Sequence, residues 1–177
     1  MSQATAATAA TPALEPLLAE FRHECRTTRR VLERVPTDKL GWKPSEKSMT
    51  LGQLALHLSG IPGNFARFLT VDVFEPPAGA FNQRQADSTK EILEHFDTGV
   101  AAADAYIAGL TPESSQKVWS AMFNGKTAMA LPRVAAVRVL ILNHSIHHRG
   151  QLSVYLRELG VPIPSIYGPS ADENPFA

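Results

Sequence analysis

The chain has 177 residues, 44% of them hydrophobic, which is enough to form the core of one domain of ordinary size. The 17 Lys and Arg residues balance the 17 Asp and Glu residues, and this zero net charge argues against nucleic acid as the main partner. The single cysteine, Cys25, cannot form an internal disulfide, which fits a reducing compartment. No stretch resembles a membrane span or a secretory signal, so we expect a cytoplasmic protein without a membrane partner.

The chain begins with an Ala- and Thr-rich tail followed by the first predicted helix. Residues 1–11 are expected to be frayed, and residues 12–177 are expected to form one domain. The helix begins at the Thr11–Pro12 pair or is delayed to Pro16, and Pro36 ends it. Its apolar face consists of Leu14, Leu17, Leu18, Phe21, Cys25, Leu32 and Val35. Its charged face consists of Glu20, Arg22, Glu24, Arg26, Arg29 and Arg30.

The second predicted helix places a histidine on a buried face. Thr50 and Gln53 form a capping-box pattern that marks the helix start. Pro62 and Gly63 predict a kink or a short break soon after His57. The inward stripe consists of Leu54, His57, Leu58, Ile61, Phe65 and Phe68.

A long loop and a third helix follow. Residues 70–87 are rich in Pro and Gly and are predicted to form the loop. Ser88 starts the third helix, and His95 flanks its apolar stripe, so we expect His95 at the surface or at the core boundary. The stripe consists of Ile92, Phe96, Val100, Ala103, Ile107 and Leu110.

The segment after the third helix is predicted to be short and to contain no strand. Thr111–Pro112 begins a short helical turn that is expected to include Val118 and Trp119. Asn124–Gly125 is predicted to form a tight turn.

The fourth helix is expected to be the longest. Pro132 at the first helical position opens it, and it runs to Leu159 with Gly160 as its stop. Gly150 in its middle predicts the close approach of another backbone or a site that needs room. The proline-rich tail, residues 161–177, is expected to lie extended across the bundle.

Four long amphipathic helices and no predicted strand indicate an all-α four-helix bundle. The long loop between the second and third helices permits a crossover connection, so the helix order need not be simple up-down-up-down.

Three of the six histidines fall in one stretch, LILNHSIHHRGQLSVYLREL. His144 and His148 replace leucines in its apolar stripe and lie one helical turn apart, about 5–6 Å between Cβ atoms. Together with His57 they form a three-nitrogen set that can bind one divalent ion and leave a position open for water or substrate. All-imidazole ligation suits zinc, nickel, copper or iron, and the ligand set does not choose between them. Our expectation is zinc or nickel. His147 is turned about 100° from His148 and could replace it as a ligand, but we expect it at the second shell or an interface.

Two interpretations without a metal are also open. A histidine on an apolar face is usually a satisfied core residue, and an HxxxH pair alone is only moderately specific. The histidines could act in acid–base catalysis without a metal, but the sequence contains no recognisable nucleophile motif to act with them. Cys25 is interpreted as a small buried hydrophobic residue and not as a nucleophile.

Two segments of the chain resemble the DinB superfamily of bacterial proteins. They are GWKPSEKSMTLGQLALHLS, Gly41–Ser59, and NHSIHHRGQLSVYLRELGVPIPSIYGPSADE, Asn143–Glu173. The resemblance implies a four-helix bundle with one crossover, a divalent metal bound by His57, His144 and His148, and a homodimer. It also implies likeness to metal-dependent thiol S-transferases, in which the metal activates a low-molecular-weight thiol.

The sequence therefore predicts a metal-dependent transferase or hydrolase that activates a thiol or water for a small-molecule substrate. The alternative is a non-catalytic metal-binding or stress-associated bundle. Further candidates for second-shell or substrate contacts lie beside the ligands or in the tail. They are His147, Arg149, Gln151, Tyr167 and Asp172.

Overall fold

The computed structural model describes residues 14–77, 79, 82 and 84–177. The predicted frayed tail and the Thr11–Pro12 helix start lie outside the described residues. The elements, in chain order, are α1 Glu15–Leu32, α2 Leu51–Phe68, β1 Val73–Phe74, α3 Thr89–Ala108, α4 Pro112–Gln116, β2 Val118–Phe123, β3 Lys126–Pro132, α5 Arg133–Ala136 and α6 His144–Glu158. A 3-10 turn at Thr37–Lys39 and a π-helical segment at Val137–Asn143 complete them.

The predicted helical core is present. Helix α2 packs most extensively against α3, while α1 contacts α3 and α6, and α6 contacts α2. The apolar stripes read from the sequence supply most of the core. Fully buried examples are Phe21, Leu32, Leu54, Leu58, Ile61, Ile92, Ile107, Leu152 and Leu156. In the part of the chain that the structure describes, no helix is both long and apolar enough to span a bilayer.

A small three-stranded sheet corrects the all-α prediction. Val118 and Trp119 belong to strand β2 and not to a helical turn, which ends at Gln116. Strand β2 pairs antiparallel with β3 through the predicted turn at Asn124–Gly125, where φ is 51° and 71°. Strand β1 adds to β2 in parallel. The fold is therefore mostly helical with a minor sheet.

The sheet and its neighbours cap the end of α2. Trp119 donates its indole N–H to the carbonyl of Phe68 at 3.0 Å, and Tyr106 donates its hydroxyl to the carbonyl of Leu69 at 3.0 Å. Arg133 adds a bond from Nε to the same Leu69 carbonyl at 3.1 Å. Carbonyls in the last turn of a helix have no intrahelical partner, so these donors fix where α2 ends.

The start of α2 is fixed by the capping box that the sequence predicts. Thr50 accepts the backbone N–H of Gln53 at 3.1 Å, and Gln53 accepts the backbone N–H of Thr50 at 2.9 Å. A kink or a short break was predicted near Pro62. No break occurs, since the helix is continuous from Leu51 to Phe68, and the kink stays a prediction.

The fourth predicted helix is divided. Pro132 ends strand β3 and precedes the short α5, so it does not open one long helix. The π-helical segment then leads directly into α6, which begins at His144. Gly160 follows α6 with φ of 69°, which agrees with its predicted role as a stop.

The tail crosses α1 and α6, as expected, and reaches a buried ion pair. Arg149, which is 1% exposed, pairs with Glu24 at 2.7 Å. The hydroxyl of Tyr167 accepts from Arg149 at 2.6 Å and donates to Glu24 at 2.9 Å. Glu24 was expected on the charged face of α1 and is instead 7% exposed, because Arg149 and Tyr167 provide its charge and hydrogen-bond partners.

Two glycines of the helical frame differ in their surroundings. A Cβ at Gly63 on α2 would stand 2.8 Å from the Cα of Gly99 on α3, so the two backbones are in contact there. A Cβ at Gly150 would meet nothing within 4 Å. The predicted close approach at Gly150 is therefore wrong, and it occurs at Gly63 instead.

We predict opposite effects for Gly63→Ala and Gly150→Ala. The first should lower the free energy of unfolding by about 1–3 kcal/mol, since the helices must move apart. The second should raise it by about 0.5–1 kcal/mol, since alanine is the better helix former. Urea unfolding midpoints at unchanged m-value measure both. Equal midpoints for the two variants would contradict the helix contact described here.

Candidate metal centre

Two helices bring three histidines to one point. His57 lies in the middle of α2, whose two ends are fixed by the contacts at Thr50 and at Leu69. His144 is the first residue of α6, directly after the π-helical segment, and His148 follows one turn later. The prediction that these rings share one region of the bundle is confirmed by the structure.

The ligand atoms of the three rings are within coordination range of a common centre. The Nε2 atoms of His57 and His144 are 3.3 Å apart, and those of His144 and His148 are 2.9 Å apart. All three ligand atoms lie within 4.8 Å of one another. A tetrahedral ion with metal–nitrogen bonds of about 2.0–2.1 Å separates its ligand nitrogens by about 3.3 Å. The spacing fits one ion.

The ring of His148 is oriented for coordination through Nε2. Its Nδ1–H donates to the side-chain oxygen of Gln151 at 2.7 Å. A neutral imidazole with a protonated Nδ1 carries its lone pair on Nε2. That atom lies 2.9 Å from Nε2 of His144, so the lone pair of His148 is available to a metal ion held between the rings.

Burial keeps the rings unprotonated. It lowers the pKa of His57 to about 4, with a smaller effect from His148. It also lowers the pKa of His144 to about 4, and the neighbouring histidines add to this. The pKa of His148 is lowered mainly by burial. The rings are therefore neutral at neutral pH, which is the form of histidine that binds a metal.

A cavity of about 200 Å³ opens beside His57. Its wall is aromatic where it approaches the cluster, since Phe65 lines it and stands 5.5 Å from the ring of His144. Polar side chains also line the cavity. The lining residues are Gln53, Leu56, His57, Ile61, Asn64, Phe65, Phe68, Asn82, Arg84 and His95.

Two of the further candidates lie next to the cluster. Gln151 holds the ring of His148 through the hydrogen bond to Nδ1. The ring of His147 stands 4.8 Å from that of His148, but its residue is exposed. Roles for both residues at the site stay predictions.

The other three candidates make their hydrogen bonds elsewhere. Arg149 and Tyr167 bond to each other and to Glu24 on α1. Asp172 accepts from Arg157 at 2.6 Å and from the backbone of Ile163 at 2.9 Å. These bonds attach the tail to the helices, and a substrate contact for any of the three stays a prediction.

Sequence reasoning did not connect His95 to this region. It was expected at the surface or core boundary, and it is exposed, yet it lines the same cavity as His57. The available signal was its position three residues after the buried Ile92, which turns it toward α2.

Comparison with known proteins confirms the resemblance. A model of the DinB family matches residues 1–175. The uncharacterized protein YrdA of Bacillus subtilis is 23% identical over 160 residues, which cover 90% of this chain and 91% of YrdA. YjoA of the same organism is 28% identical over 147 residues, which cover 81% of this chain and 89% of YjoA.

Two crystal structures show the same fold. A DinB-like protein from Bacillus cereus superposes with a TM-score of 0.68 at 23% identity, covering 86% of this chain and 97% of that one. The DinB-like protein YjoA from B. subtilis gives a TM-score of 0.62 at 23% identity, covering 83% and 96%.

We predict that the chelator-treated protein binds one Zn²⁺ per chain and that His144→Ala weakens this binding by more than about 100-fold, because it removes one of three ligands. Isothermal titration with Zn²⁺ measures the affinity. His23→Ala is the matched control, since His23 is exposed on α1. Unchanged affinity in His144→Ala would exclude the proposed centre.

We predict a smaller effect for Gln151→Ala. Losing the acceptor for Nδ1–H of His148 should weaken Zn²⁺ binding by about 10–100-fold, because the ring loses its fixed orientation. Gln151→Glu keeps an acceptor and should retain the affinity. Gln116→Ala on the exposed side of α4 is the control. If Gln151→Glu binds as weakly as Gln151→Ala, the hydrogen bond does not orient the ligand.

Proposed function

The chain belongs to the DinB family, and we propose that it is an enzyme in which His57, His144 and His148 hold one divalent ion that activates a small molecule. The convergence of the three Nε2 atoms carries this proposal. Zinc or nickel is the proposed metal, because both accept all-imidazole ligation.

An open coordination position supports catalysis over a purely structural ion. Among the described residues, no cysteine or carboxylate joins the three histidines. Structural zinc sites have four protein ligands, whereas catalytic sites have three and leave one position for water or substrate. The cavity beside His57 gives a small molecule access to that position.

The activated molecule is proposed to be a low-molecular-weight thiol, with water as the alternative. A divalent ion at this position lowers the pKa of a bound thiol or water, so that a nucleophile exists at neutral pH. The first case gives a transferase and the second a hydrolase.

The residues around the cavity indicate how such a substrate is bound. Phe65 and Phe68 form an apolar wall that excludes water from one side. The positive charge of Arg84 is matched by its ion pair with Glu91, so the cavity presents little free positive charge. We therefore propose that the part of the substrate that lies in this cavity is uncharged. Asn64 and Asn82 would make polar contacts with it. A homodimer is proposed as the assembly.

We predict that the zinc- or nickel-loaded protein alkylates a small thiol with an electrophile such as 1-chloro-2,4-dinitrobenzene, well above the rate of the free ion. His144→Ala should return the rate to background, and His23→Ala should retain it. In cobalt-substituted protein, thiol binding should produce a sulfur-to-metal charge-transfer absorption band. Stoichiometric metal binding without thiol binding or turnover would support the non-catalytic alternative.

A further inference from the structure

We infer that His95 on α3 accepts the proton of the molecule activated at the metal centre, an inference that rests on the proposed function.

The tautomer of His95 is fixed by a buried serine. The hydroxyl of Ser59, which is 0% exposed, donates to the carbonyl of Leu56 at 2.8 Å. Its oxygen is then an acceptor for Nδ1–H of His95, at 3.0 Å. A neutral His95 therefore carries its lone pair on Nε2. Within the described residues, Nε2 has no hydrogen-bond partner.

The backbone of α2 leaves space for this ring. Gly60 lies one turn after His57, and a Cβ on it would stand 2.9 Å from Cε1 of His95. Any larger residue at position 60 would displace the imidazole. The ring thus occupies a fixed place one helical turn from a proposed metal ligand.

His95 borders the cavity that reaches His57. It also lines the neighbouring groove of about 450 Å³ between α2 and α3, together with Asn64. A molecule that occupies the cavity beside His57 has His95 in its wall. This position allows contact with substrate, whereas a histidine that served only to join α2 to α3 need not border either cavity.

The charged and titratable groups near His95 include Glu91, Arg67 and His57. Glu91, one turn earlier on α3, pairs with Arg84 at the cavity wall. Arg67 on α2 lines the neighbouring groove, and His57 faces the shared cavity. His95 therefore has no carboxylate hydrogen-bonded to it among the described residues, and its acceptor nitrogen is available to a substrate proton.

The proton transfer is balanced in each step. Nε2 of His95 accepts the S–H proton of the thiol, and the sulfur keeps the bonding electron pair. The sulfur forms a bond to carbon of an alkyl or aryl electrophile with that pair. The carbon–leaving-group bond breaks with its pair on the leaving group, and His95 then releases the proton to solvent. General acid–base contributions of this kind amount to about 10²–10⁴-fold in rate.

The test separates proton transfer from a packing role. In His95→Asn the side-chain amide N–H takes the place of Nδ1–H and can keep the bond to Ser59, but no base remains. With 2-mercaptoethanol the rate of the zinc-loaded protein at pH 7 should fall about 100-fold. With 4-nitrothiophenol, which is already ionised in solution, the rate should be nearly unchanged. Equal losses with both thiols would indicate a packing role and overturn the inference.

A binding experiment tests the same point without turnover. Zinc-loaded protein is titrated with 2-mercaptoethanol by calorimetry in two buffers of different ionisation enthalpy. The wild type should release fewer protons than His95→Asn, because His95 retains part of the thiol proton. Zn²⁺ affinity should be the same in both proteins. Ser59→Ala keeps the imidazole but frees Nδ1, so its proton release should lie between those of the wild type and His95→Asn. This variant replaces His95→Asn in the experiment if His95→Asn does not fold.

The outcomes distinguish the two proposals. Thiol binding with equal proton release in wild type and His95→Asn overturns the role of His95 and leaves the proposed function standing. Absence of thiol binding in the zinc-loaded wild type overturns thiol activation, and the role of His95 in it falls as well.

Discussion

The convergence of three imidazole nitrogens is the constraint on which the rest of the structure depends. The Nε2 atoms lie 2.9 and 3.3 Å apart, in rings that burial keeps neutral because it lowers their pKa. The fold must hold the three rings at this spacing. Both ends of α2 are accordingly fixed, by the capping box at Thr50 and by the donors at Leu69.

Helix α6 is held on two sides at adjacent residues. His148 faces His57 on α2, and Arg149, the next residue, faces Glu24 on α1. A buried ion pair contributes little net stability, but losing one partner leaves a buried charge uncompensated and costs about 3–5 kcal/mol. The pair with Glu24, completed by Tyr167, therefore fixes the rotation of α6 about its axis. That rotation determines where His144 and His148 point.

The sequence was sufficient for α1, α2 and α3 and for the approach of the three histidines, because a period of 3.6 residues assigns each position to a face. It was not sufficient for the sheet. Strand β1 has two residues, and β2 alternates in burial over only six. The signal was the Asn124–Gly125 turn between two short apolar runs, which is typical of a hairpin. Glu24 was placed on the charged face, and His95 was not linked to the cavity beside His57, because their partners lie far away in sequence and local spacing does not report such partners.

The position of the buried pair along the chain affects how the protein is made. Glu24 and His57 leave the ribosome before His144, Arg149 and Tyr167, which all follow residue 143. A nascent chain folds from its N-terminal end, so α1 and α2 form with a carboxylate and an imidazole that have not met their partners. The cluster can be completed only after α6 has been synthesised. Metal acquisition therefore follows the synthesis of α6, and a product of premature termination before α6 has no complete site to load.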